Sequence, residues 1–244
     1  MIPSPEFLRL FAYELADGAH NMAADEVLLE SAVAGTPSLR FYAWAEPTVS
    51  LGYFQAEKLR RQNERLAKLA LVRRPTGGGT LVHHHELTYA LALSADQVKQ
   101  RHQSWLCRMH GIVARALESL GVSTTVVAEE KKLGSLCFQH LTPGDLVLKA
   151  AKVVGSAQRK QRRALLQHGA ILLATSPHAP ALPGIWELTG RSLTPGEIIP
   201  AVKREFASQT GWMLKAGDWT DAERQRIGEL IQIKYSQPSW NEKR

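Results

Sequence analysis

Three groups of residues in this sequence could do chemistry. Arg73-Arg74-Pro75-Thr76-Gly77-Gly78-Gly79-Thr80-Leu81-Val82-His83 places three consecutive glycines between two apolar runs. Backbone without Cβ atoms can approach a ligand closely and turn its N–H groups inward, toward a phosphate, a carboxylate or a developing oxyanion. The two arginines upstream add fixed positive charge beside those donors. A plain connection between strands is the competing reading. Cys137, in Leu136-Cys137-Phe138, lies in a passage without regular periodicity, the kind of loop that holds a nucleophile on a rigid scaffold. It can equally be a small buried hydrophobe, and Cys107, inside a helical pattern, fits that role well. Lys152 opens Lys152-Val153-Val154-Gly155-Ser156-Ala157-Gln158, a cation in an otherwise apolar strand. Either it points to solvent, or it sits in a site where its ammonium favours a nearby thiolate and polarises a carbonyl. Gln167-His168-Gly169-Ala170 in the next strand offers an imidazole beside a glycine that permits close approach; a structural histidine is the alternative.

The totals bound these possibilities. A chain of 244 residues with 44% apolar content can bury a substantial core, as one α/β domain or a domain with an appendage. It has no run of eighteen apolar residues, and Met1-Ile2-Pro3-Ser4-Pro5-Glu6 lacks the basic and apolar regions of a signal peptide, so a cytoplasmic location and no membrane partner are expected. Two cysteines without a CxxC pair or zinc-type spacing predict neither a disulfide framework nor a metal site. The net charge of +7 favours acidic partners. Its clusters, such as Arg159-Lys160-Gln161-Arg162-Arg163, carry no interleaved aromatics, which argues against a nucleic-acid module.

The elements that must position these residues follow from periodicity. Residues 21–33 form a helix with Met22, Val27 and Leu28 inside and Asp25, Glu26 and Glu30 outside, ending at Gly35. Residues 39–44 and 48–53 read as two strands joined by a turn at Glu46-Pro47. A helix over 57–70 leads into the strand 71–73, the glycine loop and strands at 80–83 and 87–93; a long amphipathic helix spans 103–120. After a strand at 123–128 comes an irregular passage, 129–144, that holds Cys137; 146–156 and 165–174 then read as a hairpin joined by the basic cluster. Helices near 200–209 and from Thr220, with Glu223 three places on as a capping box, close the chain. The expected fold is α+β, with mixed, largely antiparallel sheets flanked by helices. The expected division is a catalytic domain over 1–194 and a small helical appendage over 195–244.

In this order the motifs resemble the biotin and lipoate protein ligase family, in its lipoate ligase and octanoyltransferase branch. The resemblance covers about residues 18–190. It rests on Asn21-Met22-Ala23-Ala24-Asp25-Glu26, on Pro47-Thr48-Val49-Ser50-Leu51-Gly52 with Tyr53-Phe54-Gln55, and on the glycine motif with His83. Glu86-Leu87-Thr88-Tyr89, the Lys152 strand and Gln167-His168-Gly169 complete it. A subgroup of the branch places Cys-Phe before the lysine strand, as Cys137-Phe138 stands here. The resemblance then implies ping-pong acyl transfer: Cys137 takes octanoate from acyl carrier protein, and a lysine of a lipoyl domain or a glycine-cleavage H-type protein takes it from Cys137. It implies that Gly77, Gly78, Gly79 and the lysine strand line the acyl pocket and that Lys152 lowers the cysteine pKa, with no cofactor required. Arg73, Arg74, Thr80, His83, Gly155, Ser156, Ala157, His168 and Gly169 are the remaining candidate substrate-binding residues.

Family members usually carry Asp after the histidine of the glycine motif, whereas this chain reads His83-His84-His85. Two other functions use the same motifs. In an ATP-dependent lipoate–protein ligase, with ATP and Mg as cofactors, Lys152 would bind the activated carboxyl and a phosphate would sit on the glycine loop. In a non-catalytic basic binding protein, Cys137 would be dispensable.

Overall fold

The computed structural model describes residues 7–99, 104–132 and 136–243. The first residues of the chain, Gln103 at the expected start of the long helix, and positions 133–135 of the irregular passage lie outside the described residues. Strict alternation builds the main sheet. In Glu86–Leu93, Leu87, Tyr89, Leu91 and Leu93 pack into one core while Ala90 and Ala92 pack into another, the period of two that a strand buried on both faces needs. The nine-stranded sheet runs Met213–Ala216, Phe7–Leu10, Ser38–Trp44, Glu86–Leu93, Ala164–Leu172, Ala151–Gln161, Leu146–Leu148 and Thr125–Val126, with Glu14–Ala16 also beside Ser38–Trp44. Its centre is antiparallel, and its Phe7–Leu10 edge pairs in parallel.

Helices cover both faces. Trp105–Ser119 is capped by Ser104 and buries Trp105, Met109, Ile112, Val113, Ala116 and Leu117 at helical spacing. With Pro195–Thr210 it closes one core. Gly18–Val33, capped by Asp17 accepting from the His20 N–H at 2.8 Å, closes the other core with Asp221–Leu230. Its position between sheet and second helix buries residues around most of its circumference, so Asp25, expected outside, is fully buried. Among the described residues no helix is long and apolar enough to cross a membrane.

A second, three-stranded sheet sets Thr48–Leu51 between Ala70–Arg73, parallel, and Leu81–His83, antiparallel. The expected hairpin of 39–44 with 48–53 does not form. Ser38–Trp44 is already paired on both sides, by Phe7–Leu10 and Glu14–Ala16 and by Glu86–Leu93, so no edge is free and the chain crosses to the small sheet. The helix expected over 57–70 divides into Lys58–Arg61 and Glu64–Ala67, because the Asn63 side chain caps the second by accepting from the Arg65 and Leu66 N–H groups.

Residues 195–243 are mostly helical, as expected, yet no break in packing falls at 194. Met213–Ala216 adds an edge strand to the main sheet, and Ile198, Ala201, Val202 and Phe206 are fully buried in the same core as Leu39, Leu91 and Leu117.

Candidate active site

The connections 45–47 and 84–85 carry the chain between the two sheets, and a cavity opens at that seam. Met22, Tyr42, Trp44, Leu81, Phe138 and Ala170 give it an apolar wall; Ser50, Arg74, His83, Thr88, Cys137 and His168 are its polar members. Such a chamber, apolar with a few convergent polar groups, suits a ligand with a hydrocarbon body and one reactive end.

The glycine loop is shaped by what presses on it. Cys137 opens a 3-10 turn, Cys137–Gln139, whose first N–H donates to the Thr80 carbonyl at 2.8 Å. A Cβ on Gly79 would stand 3.2 Å from the Cys137 Cα, and one on Gly52 would stand 2.0 Å from the Gly78 carbonyl oxygen. Gly78 has φ +92°, a conformation that favours glycine, and a Cβ there would meet Arg74 Nη2 at 2.9 Å and Cys137 Sγ at 3.9 Å. The missing side chains therefore admit the cysteine turn and a neighbouring backbone as well as a ligand.

The two arginines divide their work. Arg73 directs Nη1 to the carbonyls of Gly52 and Gln55, and Nη2 to those of Asn241 and Lys243, so it ties the end of the chain to the loop. Arg74 lines the cavity and donates to the Gly77 and Gly79 carbonyls and to Ser50. Burial pulls its pKa below the ordinary value, and a thiolate at Cys137 opposes that pull. A guanidinium stays charged under such a shift, which makes Arg74 the fixed cation of the cavity.

Two chains of carboxylate, imidazole and hydroxyl flank the cysteine. In the first, Asp25 accepts from Tyr42 Oη at 2.8 Å and from Arg40, and pairs with His168 Nδ1 at 2.9 Å; His168 Nε2 meets Thr76 Oγ1 at 2.6 Å. Burial, then the Asp25 charge, holds the Tyr42 phenol well above its usual range, so it stays a donor. Removing one partner of a buried pair such as Asp25 and Arg40 costs about 3–5 kcal/mol. In the second, His83 Nδ1 meets Glu86 Oε1 at 2.5 Å and Nε2 meets Ser50 Oγ at 2.7 Å. Trp44 stacks on the His83 ring, centroids 3.6 Å apart and planes 14° from parallel. Burial lowers the His83 pKa, partly offset by Glu86. With a carboxylate on each Nδ1, that nitrogen carries the proton and Nε2 accepts from the hydroxyl.

The lipoyl protein ligase A/B catalytic domain model matches residues 17–182 of this chain. The chain belongs to that family. It is 31% identical to octanoyltransferase LipM of Brevibacillus brevis over 274 aligned residues, spanning 97% of this chain and 99% of that protein. Octanoyltransferase LipM of Carboxydothermus hydrogenoformans is 41% identical over 166 residues, 64% of this chain and 61% of its own length. Among solved structures, lipoate-protein ligase A bound with ATP superposes with a TM-score of 0.80 at 23% identity, over 96% of this chain and 98% of that one. That likeness extends the α+β fold over nearly the whole chain.

Of the residues singled out in the sequence, Cys137, Arg74, Gly78, His83, Gly155, Ser156, Ala157, His168 and Gly169 line the cavity together. Gly169 faces Ser156 Oγ and the Tyr89 ring, which a Cβ would strike at 2.5 and 2.7 Å. Ser156 Oγ is engaged on the far side of the sheet by Tyr89 Oη at 2.6 Å and by His110 Nε2. Gly77 and Gly79 supply carbonyls to Arg74, while Thr80 holds Gln55 and the Cys137 N–H. Lys152 stands behind Gly155, where a Cβ would meet its Cε at 2.3 Å. Its ammonium pairs with Asp145 at 2.7 Å, donates to the His140 carbonyl at 3.1 Å and lies 5.2 Å from the Phe138 ring centroid. It thus grips the cysteine turn from behind the cavity wall. Sequence reasoning assigned no role to Asp25, Ser50 or Glu86. Glu86 had a readable signal, since a carboxylate three residues after a histidine across a tight connection must come close; Asp25 and Ser50 need the tertiary fold.

Proposed function

We propose that this protein is an acyltransferase of protein lipoylation, which takes an octanoyl group from acyl carrier protein onto Cys137 and passes it to a lysine of a lipoyl carrier domain. The observation that carries this reading is the Cys137 thiol in an apolar cavity that it shares with the fixed cation Arg74. The relatives named octanoyltransferase support the acyl group. The thiolate attacks the donor thioester, the carrier thiol leaves, and the acyl-enzyme meets the lysine amine. Exchange of one thioester for another needs no activation, so neither ATP nor a metal takes part. In this reading Arg74 stabilises the thiolate, and Lys152 fixes the turn that presents it. The net charge of +7 draws in carrier proteins that are acidic, as steering rather than as affinity.

Intact-protein mass spectrometry after mixing with octanoyl-acyl carrier protein, without ATP, tests the reading. One octanoyl group is expected on the native protein and none on Cys137→Ala. No adduct, together with ATP-dependent labelling of a lipoyl domain by free lipoate, would establish the ligase instead.

A further inference from the structure

The transfer half of such a reaction has a proton to lose. A lysine amine that attacks a thioester forms its C–N bond while still carrying an extra proton, and collapse to the amide requires a group to take it. Lys152 is turned away from it, to Asp145 and the His140 carbonyl behind the cavity wall.

Ser50 meets the need. Its hydroxyl has one hydrogen and two acceptor sites. Arg74 Nη1 donates to Oγ at 3.1 Å, which fills one acceptor site, and the hydroxyl hydrogen goes to His83 Nε2 at 2.7 Å. One acceptor site remains, on a residue that lines the cavity with Cys137. Behind it, Glu86 holds the protonated Nδ1 and also accepts the His84 N–H at 2.7 Å, so its carboxylate is fixed on both oxygens. The Trp44 stack locks the ring plane. The Asp25, His168 and Thr76 chain has the same chemistry but ends on Thr76, which does not line the cavity.

We propose that Ser50, His83 and Glu86 form a proton relay that takes the proton of the attacking lysine amine as the acyl group leaves Cys137. The inference rests on the acyl-enzyme reading above. The amine nitrogen bonds to the thioester carbon and gives its proton to Ser50 Oγ, whose own hydrogen passes to His83 Nε2. The C–S bond breaks, its electron pair stays on Cys137 Sγ facing Arg74, and the imidazolium is held by Glu86 until it returns the proton to the thiolate. Amide and free thiol are the products, and the relay ends as it began. Ser50 touches the substrate; His83 acts through it, and Glu86 positions His83.

Single-turnover kinetics on the full chain separate the steps. Acylation of Cys137 by octanoyl-acyl carrier protein is timed first, then discharge of the acyl-enzyme to a lipoyl domain or to hydroxylamine, a small, weakly basic amine whose adduct gives up its proton to water without a catalytic base. In Ser50→Ala, His83→Gln and Glu86→Gln, acylation and discharge to hydroxylamine should fall much less than discharge to the lysine. Discharge to the lysine should slow by about 100-fold or more in the first two variants. Lysine discharge at the native rate in Ser50→Ala and His83→Gln overturns the relay, and so does a parallel loss in all three steps, which marks a distorted cavity. Absence of any adduct on the native protein removes the acyl-enzyme reading itself, and the relay with it.

Discussion

At the scale of single residues, the site is governed by burial. His83 and His110 are both held below their ordinary pKa of 6.5, in each case chiefly by burial. Around His83, Glu86 on the next strand raises the value, while Arg74 from the glycine-loop side and His168 from the long hairpin lower it. For His110 the Gly144 carbonyl and Asp145 raise it and Lys152 lowers it. A histidine whose folded pKa is depressed binds its proton more readily in the unfolded chain, so acid favours unfolding. The stability these residues contribute is complete above pH 6.5 and declines as pH falls below that value. The Tm is therefore expected to be level between neutrality and pH 6.5 and to drop below it, with a shallower drop in His110→Gln. A Tm that rises on acidification through this range would contradict the burial argument. At this scale the sequence was legible by residue type: a glycine run, a cysteine in an irregular stretch and a histidine beside glycine were each visible. Asp25 was not, because helical periodicity assigns it to the outer face and only Arg40, Tyr42 and His168, from distant strands, make the inner position tolerable.

At the scale of elements, the strands were readable from alternation but their ends and partners were not. The expected hairpin of 146–156 with 165–174 forms, but its first strand is split to make a meander: Leu146–Leu148 turns at Lys149-Ala150 into Ala151–Gln161, which turns at Arg162-Arg163 into Ala164–Leu172. Both turns have two residues with positive φ, 46° and 69° at the first and 46° and 72° at the second, the primed geometry that Asn-Gly signals in a sequence. Lys-Ala and Arg-Arg give no such signal, so the basic cluster reads as a loop while its first residues are strand. That conformation costs a residue with a side chain roughly 1–2 kcal/mol. Arg162→Asn with Arg163→Gly removes most of this cost, and about 1–2 kcal/mol of added stability is expected, a rise of roughly 2–8 °C in Tm. The variant keeps the register Gln161 to Ala164. Calorimetry that finds it less stable than the native chain would show that the arginines make contacts worth more than the strain.

At the scale of the whole molecule, residues 195–243 are where sequence reading and packing part company. Their helices read as a separate appendage, because local periodicity carries no information on where an element docks. In the fold, Met213–Ala216 pairs with Phe7–Leu10, Arg226 and Lys234 pair with Glu30 and Glu26 of the first helix, and Trp240 donates from Nε1 to the Arg73 carbonyl at 2.8 Å. The helix Pro195–Thr210 alone buries Ile198, Val202 and Phe206 completely. At about 1.5–3 kcal/mol for each such side chain, that one face is worth roughly 5–9 kcal/mol, a sum comparable with the entire stability of a typical domain, about 5–15 kcal/mol. Surface ion pairs, at about 0–1 kcal/mol each, do not decide the matter; the shared core does. The full chain is therefore expected to unfold in a single calorimetric transition, and a fragment ending at residue 194 is expected to lack cooperative unfolding and to lose the ordered glycine loop, since Arg73 is gripped by Trp240, Asn241 and Lys243. Two resolved transitions, or a fragment 1–194 that melts cooperatively near the native Tm, would instead mark the C-terminal region as an independent unit.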